Sequence, residues 1–196
     1  MKDLRLPVGL FAASLGLMLL HPHATGWLRY QRDAILAGEG WRLLTAHLVH
    51  GTWGHWALNM GGLALVWLIF PAQAARRSAV PLIVAIALST SLAMLVLAPG
   101  VEWYLGLSAL LHGLFMAWSL EELVDGRRWA WPAVAAISVK LLYEQLAGSL
   151  PGSAETVGLP VLVDAHLYAA LAGGAWVLTG TVVDRLQHYI KKRRSR

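Results

Sequence analysis

Three polar groups interrupt apolar stretches of this chain and could together carry out nucleophilic catalysis. They are Ser108 within Gly106-Leu107-Ser108, the pair His55 and Asn59, and His166. Serine is a poor nucleophile unless a base takes its proton, and a neutral imidazole near pH 7 can be that base. Each group alone has an ordinary structural interpretation, because polar side chains in membrane helices often bond to their own backbone or to a neighbouring helix. The catalytic interpretation therefore requires that all three lie at one depth.

Composition indicates a polytopic membrane protein. Hydrophobic residues make up 57% of the 196 residues and charged residues 14%, whereas charged residues are about a quarter of soluble domains. The chain has no cysteine, which excludes disulfides, thiolate metal sites and a cysteine nucleophile. The net charge of +5 comes from short loops and from the basic run 191–196, a pattern of membrane orientation. We therefore expect a lipid bilayer as partner and no nucleic acid.

Six apolar segments predict an all-α membrane protein, a six-transmembrane-helix bundle that forms a single domain over 1–196. They span roughly 5–21, 54–70, 80–98, 106–120, 130–147 and 163–182. No small-x-small cleavage site precedes His21-Pro22-His23 at the end of the first segment, so we expect this segment to be retained. A bilayer core of about 30 Å needs about 20 helical residues. The fourth segment is shorter, so residues 99–105 should dip inward as irregular backbone beside protein or water.

Basic residues predict the orientation of these segments. If the segments alternate, most Lys and Arg fall on one side, and the positive-inside rule then places both termini in the cytoplasm. The tryptophans divide into two interfacial groups, Trp27, Trp41, Trp53 and Trp103 outside and Trp129 and Trp131 inside. The long loops 22–53 and 148–162 then lie outside, where they are candidates for a lid or entry surface.

The three polar groups fall in one layer of the predicted bundle. Segments two, four and six all run inward, so depth can be compared at about 1.5 Å per residue. Asn59, Ser108 and His166 lie about 17, 18 and 21 Å from the cytoplasmic ends of their segments. Polar groups at this depth need partners or water. We therefore predict a hydrated pocket that opens to the outside.

Small residues flank two of these polar groups and should let their helices approach closely. One stripe accompanies Ser108 and the other accompanies His166. Their members are Ala109, Gly113 and Ala117, and Ala165, Ala169 and Gly173. Packing of segments four and six through these stripes would bring the serine hydroxyl to the imidazole. Stripes of this kind occur in many membrane bundles, so the catalytic inference depends on the polar residues beside them.

The order of these motifs resembles the rhomboid family of intramembrane serine proteases, in its six-helix form, over nearly the whole chain. The motifs concerned are Trp41-Arg42-Leu43-Leu44-Thr45, His50, His55-x-x-x-Asn59, Gly106-x-Ser108 and Ala165-His166. A narrower set is similar to the rhombosortase branch. It comprises Gly106-Leu107-Ser108, His112-Gly113-Leu114, Lys140-x-x-x-Glu144-Gln145 and Val163-Asp164-Ala165-His166-Leu167-Tyr168.

The resemblance implies a catalytic dyad that needs neither metal nor cofactor. Ser108 would be the nucleophile and His166 the general base, with no third carboxylate. His55, Asn59 and the backbone N–H of Ser108 would donate to the tetrahedral oxyanion. Asp164 is two residues from the histidine, and we expect it instead to be a first-turn carboxylate favoured by the helix dipole.

Residues that pack around the site should set its spacing. We expect this role for Gly106, Ala109, His112, Gly113, Ala169 and Gly173. The family usually has glycine at positions 109 and 169, so the two alanines should alter spacing without removing a chemical group. At position 112 the family often has tyrosine stacked on the catalytic imidazole, and stacking is also our preferred role for His112 over competition as a base. Lys140 and Glu144 lie one helical turn apart and should form an ion pair.

The rhombosortase resemblance implies an intramembrane serine endopeptidase of the bacterial inner membrane, with an active site open to the periplasm. Its substrates would be single-pass exported proteins with C-terminal Gly-Gly tail anchors. Each glycine destabilises a helix by about 1 kcal/mol relative to alanine, so such an anchor would unwind readily near the periplasmic face. A general rhomboid protease of single-pass proteins is the alternative.

Other functional classes stay open on the residues alone. A non-catalytic relative could bind membrane segments, although the chain keeps both Ser108 and His166. A b-type haem protein could use His55, His112 or His166 as axial ligands. A transporter could use Lys140, Glu144 and the histidines as a proton path, but we find no inverted internal repeat in the sequence.

Overall fold

The chain is mostly helical in a computed structural model, which describes residues 4–194 and, within them, the side chains of residues 4–183. The helices, in chain order, are α1 (Arg5–Leu19), α2 (His23–Leu28), α3 (Arg32–Leu36), α4 (Arg42–Thr45), α5 (Trp53–Ile69), α6 (Pro71–Ala74), α7 (Ala79–Leu97), α8 (Ser108–Val124), α9 (Trp131–Ala147), α10 (Ser153–Val157) and α11 (Val163–Arg194). A 3₁₀ turn, Arg128–Ala130, precedes α9. Each of the six predicted apolar segments therefore overlaps one of the long helices α1, α5, α7, α8, α9 and α11.

Among the residues whose side chains the structure describes, two helices are long and apolar enough to cross a membrane by length and composition. They are α7 and the part Val163–Val183 of α11, and α1 is a shorter apolar helix. Helix α8 begins two residues later than predicted, at Ser108, and continues to Val124. Its 17 residues still fall short of the about 20 that a full span needs.

The segment that leads into Ser108 is more regular than expected. Strands β1 (Tyr30–Gln31) and β2 (Trp103–Tyr104) form an antiparallel ladder with Tyr30 opposite Tyr104. The prediction of irregular backbone over 99–105 was therefore wrong for these two residues. Beyond the ladder, the N–H of Gly106 donates to the carbonyl of Ala46 at 3.0 Å. These bonds satisfy backbone groups that would be costly to bury unpaired, so the loop 22–53 supports the approach to Ser108.

Buried polar side chains hold the outer loop 22–53 in place. The Arg42 guanidinium donates to Glu39 Oε2 at 2.6 Å and to the carbonyls of Gly26 and Arg29 at 3.0 and 2.9 Å. The ring of His47 contacts α7, where Nε2 lies 3.2 Å from the Ala87 carbonyl oxygen. Burial lowers the pKa of His47 to about 4, so this ring is neutral at physiological pH. Buried hydrogen bonds therefore fix the loop 22–53 to the helices of the fold.

Helices α8 and α11 pack through the predicted stripes of small residues. Ala109, Ala117, Ala165 and Ala169 are completely buried. A Cβ added at Gly113 would lie 2.7 Å from the Ala169 carbonyl oxygen, and one at Gly173 would overlap the Gly113 carbonyl. The backbones of the two helices therefore touch, which confirms the predicted contact. This contact holds the N-terminal parts of both helices beside each other.

Candidate active site

The predicted nucleophile and base are in contact at the N-terminal ends of two helices. Ser108 is the first residue of α8, and His166 lies in the first turn of α11. Ser108 Oγ is 3.0 Å from His166 Nε2, within the range of a nucleophile–base hydrogen bond. The His166 side chain is buried. The proximity inferred from depth and from the small-residue stripes is therefore observed.

A carboxylate that the sequence reasoning did not assign to the site occupies the other side of the imidazole. Glu144 Oε2 and Oε1 lie 3.0 and 3.2 Å from His166 Nδ1. With the proton on Nδ1, this ring donates to Glu144 and accepts from the Ser108 hydroxyl at Nε2, which satisfies both contacts. The expectation of no third carboxylate at the imidazole was therefore wrong. Asp164 lies in the first turn of α11, as expected.

Glu144 also makes the ion pair that was predicted for it. Lys140 Nζ donates to Glu144 Oε1 at 2.6 Å, and the glutamate side chain is only 3% exposed. An ionisable residue in an apolar helix is a reason to suspect function, and this signal was available in the sequence. The predicted ion pair with Lys140 was a sufficient reason for a glutamate at position 144. The second partner, His166, could not be inferred from it because His166 lies on another helix.

His112 stacks on the His166 ring. The two ring centroids are 4.0 Å apart with an interplanar angle of 11°, which confirms the predicted stacking. His112 Nδ1 lies 2.7 Å from the Ser108 carbonyl oxygen, to which an N–H at that position donates. The stacked ring therefore covers one face of the imidazole and is itself held by the backbone of α8.

Three side chains of the site have the composition of a metal-binding cluster. One potential ligand atom from each of His112, Glu144 and His166 lies within 4.8 Å of the others, and histidine with carboxylate is a ligand set that zinc accepts. The glutamate already bonds to His166 and to the Lys140 ammonium. A cation there would displace these bonds and meet the charge of Lys140, so hydrogen bonding accounts better for the cluster.

The predicted oxyanion donors lie on α5 beside the segment that leads into Ser108. A Cβ at Gly106 would be 2.5 Å from His55 Nε2 and 3.6 Å from Asn59 Nδ2, and the φ of this glycine is +118°. Glycine is therefore required here both by its backbone conformation and by the close approach of His55. Among the residues that the structure describes, Asn59 Nδ2 is buried without a hydrogen-bond partner. A buried unpaired donor is costly, so the Asn59 amide is suited to donate to an incoming substrate oxygen.

A cavity of about 1100 Å³ contains all of these groups. Its walls are mostly apolar, and the polar groups of the candidate site that line it are His55, Asn59, Ser108, His112, Lys140, Glu144 and His166. Parts of 100–105 and 150–162 also line the cavity. The segment 150–162 is held against the start of α5, because Thr52 Oγ1 donates to the Val157 carbonyl at 2.5 Å. An apolar cavity with a few convergent polar groups is typical of a substrate site.

Comparison with protein families identifies a known domain in this chain. The rhomboid domain model matches residues 37–182, well over half of the chain, and this range contains every residue of the cavity described above. A search among curated proteins finds no match. Rhomboid proteins are generally intramembrane serine proteases, and some members are inactive. The family and the apolar helices indicate a membrane protein. This chain belongs to the rhomboid family.

Proposed function

We propose that this chain is an intramembrane serine endopeptidase with Ser108 as nucleophile and His166 as general base. The observation that carries the proposal is the contact of 3.0 Å between Ser108 Oγ and His166 Nε2 inside a cavity. Ser108 Oγ attacks the scissile carbonyl carbon while its proton passes to Nε2. The imidazolium then protonates the leaving amine, and water hydrolyses the acyl-enzyme by the same proton route.

Stabilisation of the oxyanion is assigned to three donors. They are Asn59 Nδ2, a ring N–H of His55 and the backbone N–H of Ser108. The proposal is supported by the unpaired Asn59 amide and by the fact that Gly106 has no side chain in the space against His55 and Asn59. Donors held in place before the reaction cost no reorganisation when charge develops.

The proposed topology is one domain over 1–196 with six transmembrane helices and both termini in the cytoplasm of a bacterial inner membrane. The cavity would then open to the periplasm. The distribution of Lys and Arg supports this orientation. It is further supported by the exposed tryptophans at the two predicted interfaces, Trp27, Trp41, Trp53, Trp103, Trp129 and Trp131.

The proposed substrates are C-terminal tail anchors of exported proteins that carry a Gly-Gly motif. Residue matches with the rhombosortase branch at His112, Lys140, Glu144 and around His166 support this choice. A protease needs an extended substrate, and two glycines weaken a helix by about 2 kcal/mol relative to two alanines. Cleavage at or near the glycines would release the exported domain outward. A general rhomboid protease of single-pass proteins is the broader alternative.

Serine-directed labelling tests the catalytic assignment without a known substrate. A fluorophosphonate reacts when Ser108 Oγ attacks phosphorus and fluoride leaves, so it reports activation of one hydroxyl. We expect labelling of the purified protein in detergent, with loss of labelling in Ser108→Ala and in His166→Ala. Labelling that persists in Ser108→Ala would refute the assignment. A visible absorption spectrum of the same sample tests the haem alternative, because bis-imidazole iron absorbs strongly.

A matched pair of reporters tests the substrate class. One reporter carries an exported domain, a Gly-Gly motif, an apolar helix and a basic end, and the other has both glycines replaced by leucine. Co-expression with this protein should process the first and spare the second, and Ser108→Ala should process neither. Equal processing of both reporters would reject Gly-Gly specificity and favour the broader rhomboid protease.

A further inference from the structure

We propose that Glu144 is a positioning residue that completes a Ser108–His166–Glu144 triad, and that Lys140 holds its carboxylate. This inference rests on the proposed function, because it assigns the support of the general base. The three members come from α8, α11 and α9, so the packing of three helices decides whether the triad forms. The resemblance from sequence implied only a dyad.

The geometry around the imidazole is that of a ring engaged at both nitrogens. Ser108 Oγ lies 3.0 Å from Nε2, and Glu144 Oε2 lies 3.0 Å from Nδ1. An acceptor at Nδ1 selects the tautomer in which Nε2 carries a lone pair toward the serine hydroxyl. In the other tautomer Nε2 would carry a proton and could not take one from serine. Glu144 thus determines that His166 is ready to act as a base.

Burial and charge explain why a carboxylate serves here. Glu144 is 3% exposed, whereas Lys140 is 27% exposed on its side of the pair. A buried carboxylate needs compensation, and the lysine ammonium at 2.6 Å supplies it in the resting state. When His166 takes the serine proton, the imidazolium forms directly beside the same carboxylate. The negative charge is therefore paired before the reaction and stabilises the positive charge that develops during it.

The stacked ring of His112 completes the support of the base. Its centroid lies 4.0 Å from that of His166, and its Nδ1 lies 2.7 Å from the Ser108 carbonyl oxygen. The imidazole is thereby held at both nitrogens and on one face. Rotation of the ring would break the contacts to Ser108 and Glu144 together. Such over-determined positioning is what a pre-organised base requires.

The experiment separates positioning from stability by combining two substitutions. The rate of Ser108 labelling at saturating fluorophosphonate and the midpoint of thermal unfolding are measured for wild type, Glu144→Gln, Glu144→Asp and Lys140→Met/Glu144→Leu. We expect Glu144→Gln to label about a hundredfold more slowly, and Glu144→Asp to recover part of the rate. The double variant removes both charges, so its stability should be close to that of wild type. Its labelling should nevertheless stay as slow as that of Glu144→Gln.

Glu122→Gln is the matched control for removal of a buried carboxylate. Glu122 is 4% exposed and pairs with Arg127 and Gln73, and it lies 14 residues from Ser108 along α8, about 21 Å. This control should lower stability and leave the labelling rate at the wild-type level.

Two outcomes would overturn the triad. One is Glu144→Gln labelling at the wild-type rate. The other is a double variant that recovers both stability and labelling, which would show that Glu144 serves only its ion pair. In both cases wild-type Ser108 is labelled, so the proposed function stands. Absence of labelling in wild type would instead refute the proposed function itself.

Discussion

Replacement of Gly113 by alanine should slow the labelling of Ser108, although Gly113 lies more than one helical turn away. The new Cβ would lie 2.7 Å from the Ala169 carbonyl oxygen and from Ile86 Cγ2. Ordinary contact begins at 3.4 Å, so α8 and α11 must separate there by about 0.7 Å. Gly113 lies five residues, about 7.5 Å, below Ser108 on the same helix.

The same shift at the active site would exceed what the catalytic contact tolerates. A separation of about 0.7 Å extends the Ser108–His166 distance from 3.0 Å to about 3.7 Å, beyond hydrogen-bond range. Misplacement on the order of 1 Å can cost about a hundredfold in rate. We therefore expect at least tenfold slower labelling of Ser108. Overpacking should also lower the free energy of unfolding by about 1–3 kcal/mol.

Gly174→Ala is the control for this prediction. It changes a glycine on the same helix pair, but its Cβ would lie 3.5 Å from Leu120 Cδ1, which is ordinary contact. Both substitutions gain about 1 kcal/mol of helix propensity, so that gain cancels in the comparison. The assays are fluorophosphonate labelling and thermal unfolding in detergent. Equal rates and equal midpoints for the two variants would refute the inference that backbone contact sets the active-site spacing.

Three further predictions concern the oxyanion donors, the glycine beside them and the outer loop. Asn59→Ala should lower turnover of the Gly-Gly reporter by about a hundredfold to a thousandfold with substrate binding nearly unchanged. Unchanged turnover with lower thermal stability would instead indicate a structural hydrogen bond. Gly106→Ala should abolish labelling, because its Cβ would lie 2.5 Å from His55 Nε2 at a strained φ; a wild-type rate would contradict the close approach. His47 in the unfolded chain takes up a proton below its ordinary pKa of 6.5, whereas in the folded protein its pKa is about 4. Acidification from pH 6.5 to pH 4 should therefore destabilise the folded wild-type protein. The midpoint of thermal unfolding should fall less over this range in His47→Asn than in wild type.

Much of the fold could be predicted because apolar periodicity and small-residue spacing are local properties of the chain. The six long helices lie where the apolar segments predict them, and α8 meets α11 through Gly113 and Ala169. The short elements of the outer loops could not be predicted in this way. The β1–β2 ladder pairs Tyr30 with Tyr104, and two-residue strands far apart in sequence leave no periodic signal. Their bonds depend on the helices that bring the two segments together.

The sequence by itself determined which chemical groups this protein has and along which helices they lie. Residue type and helical rise predict that Ser108, His166 and Asn59 lie in one layer of the helical bundle. Only the tertiary structure decided what each group faces, because side-chain partners on different helices depend on helix rotation. Glu144 illustrates the difference, since i,i+4 spacing predicted its bond to Lys140, whereas its bond to His166 joins α9 to α11. Likewise, the buried Asn59 amide has no partner among the residues that the structure describes, a fact that no pattern in the sequence contains.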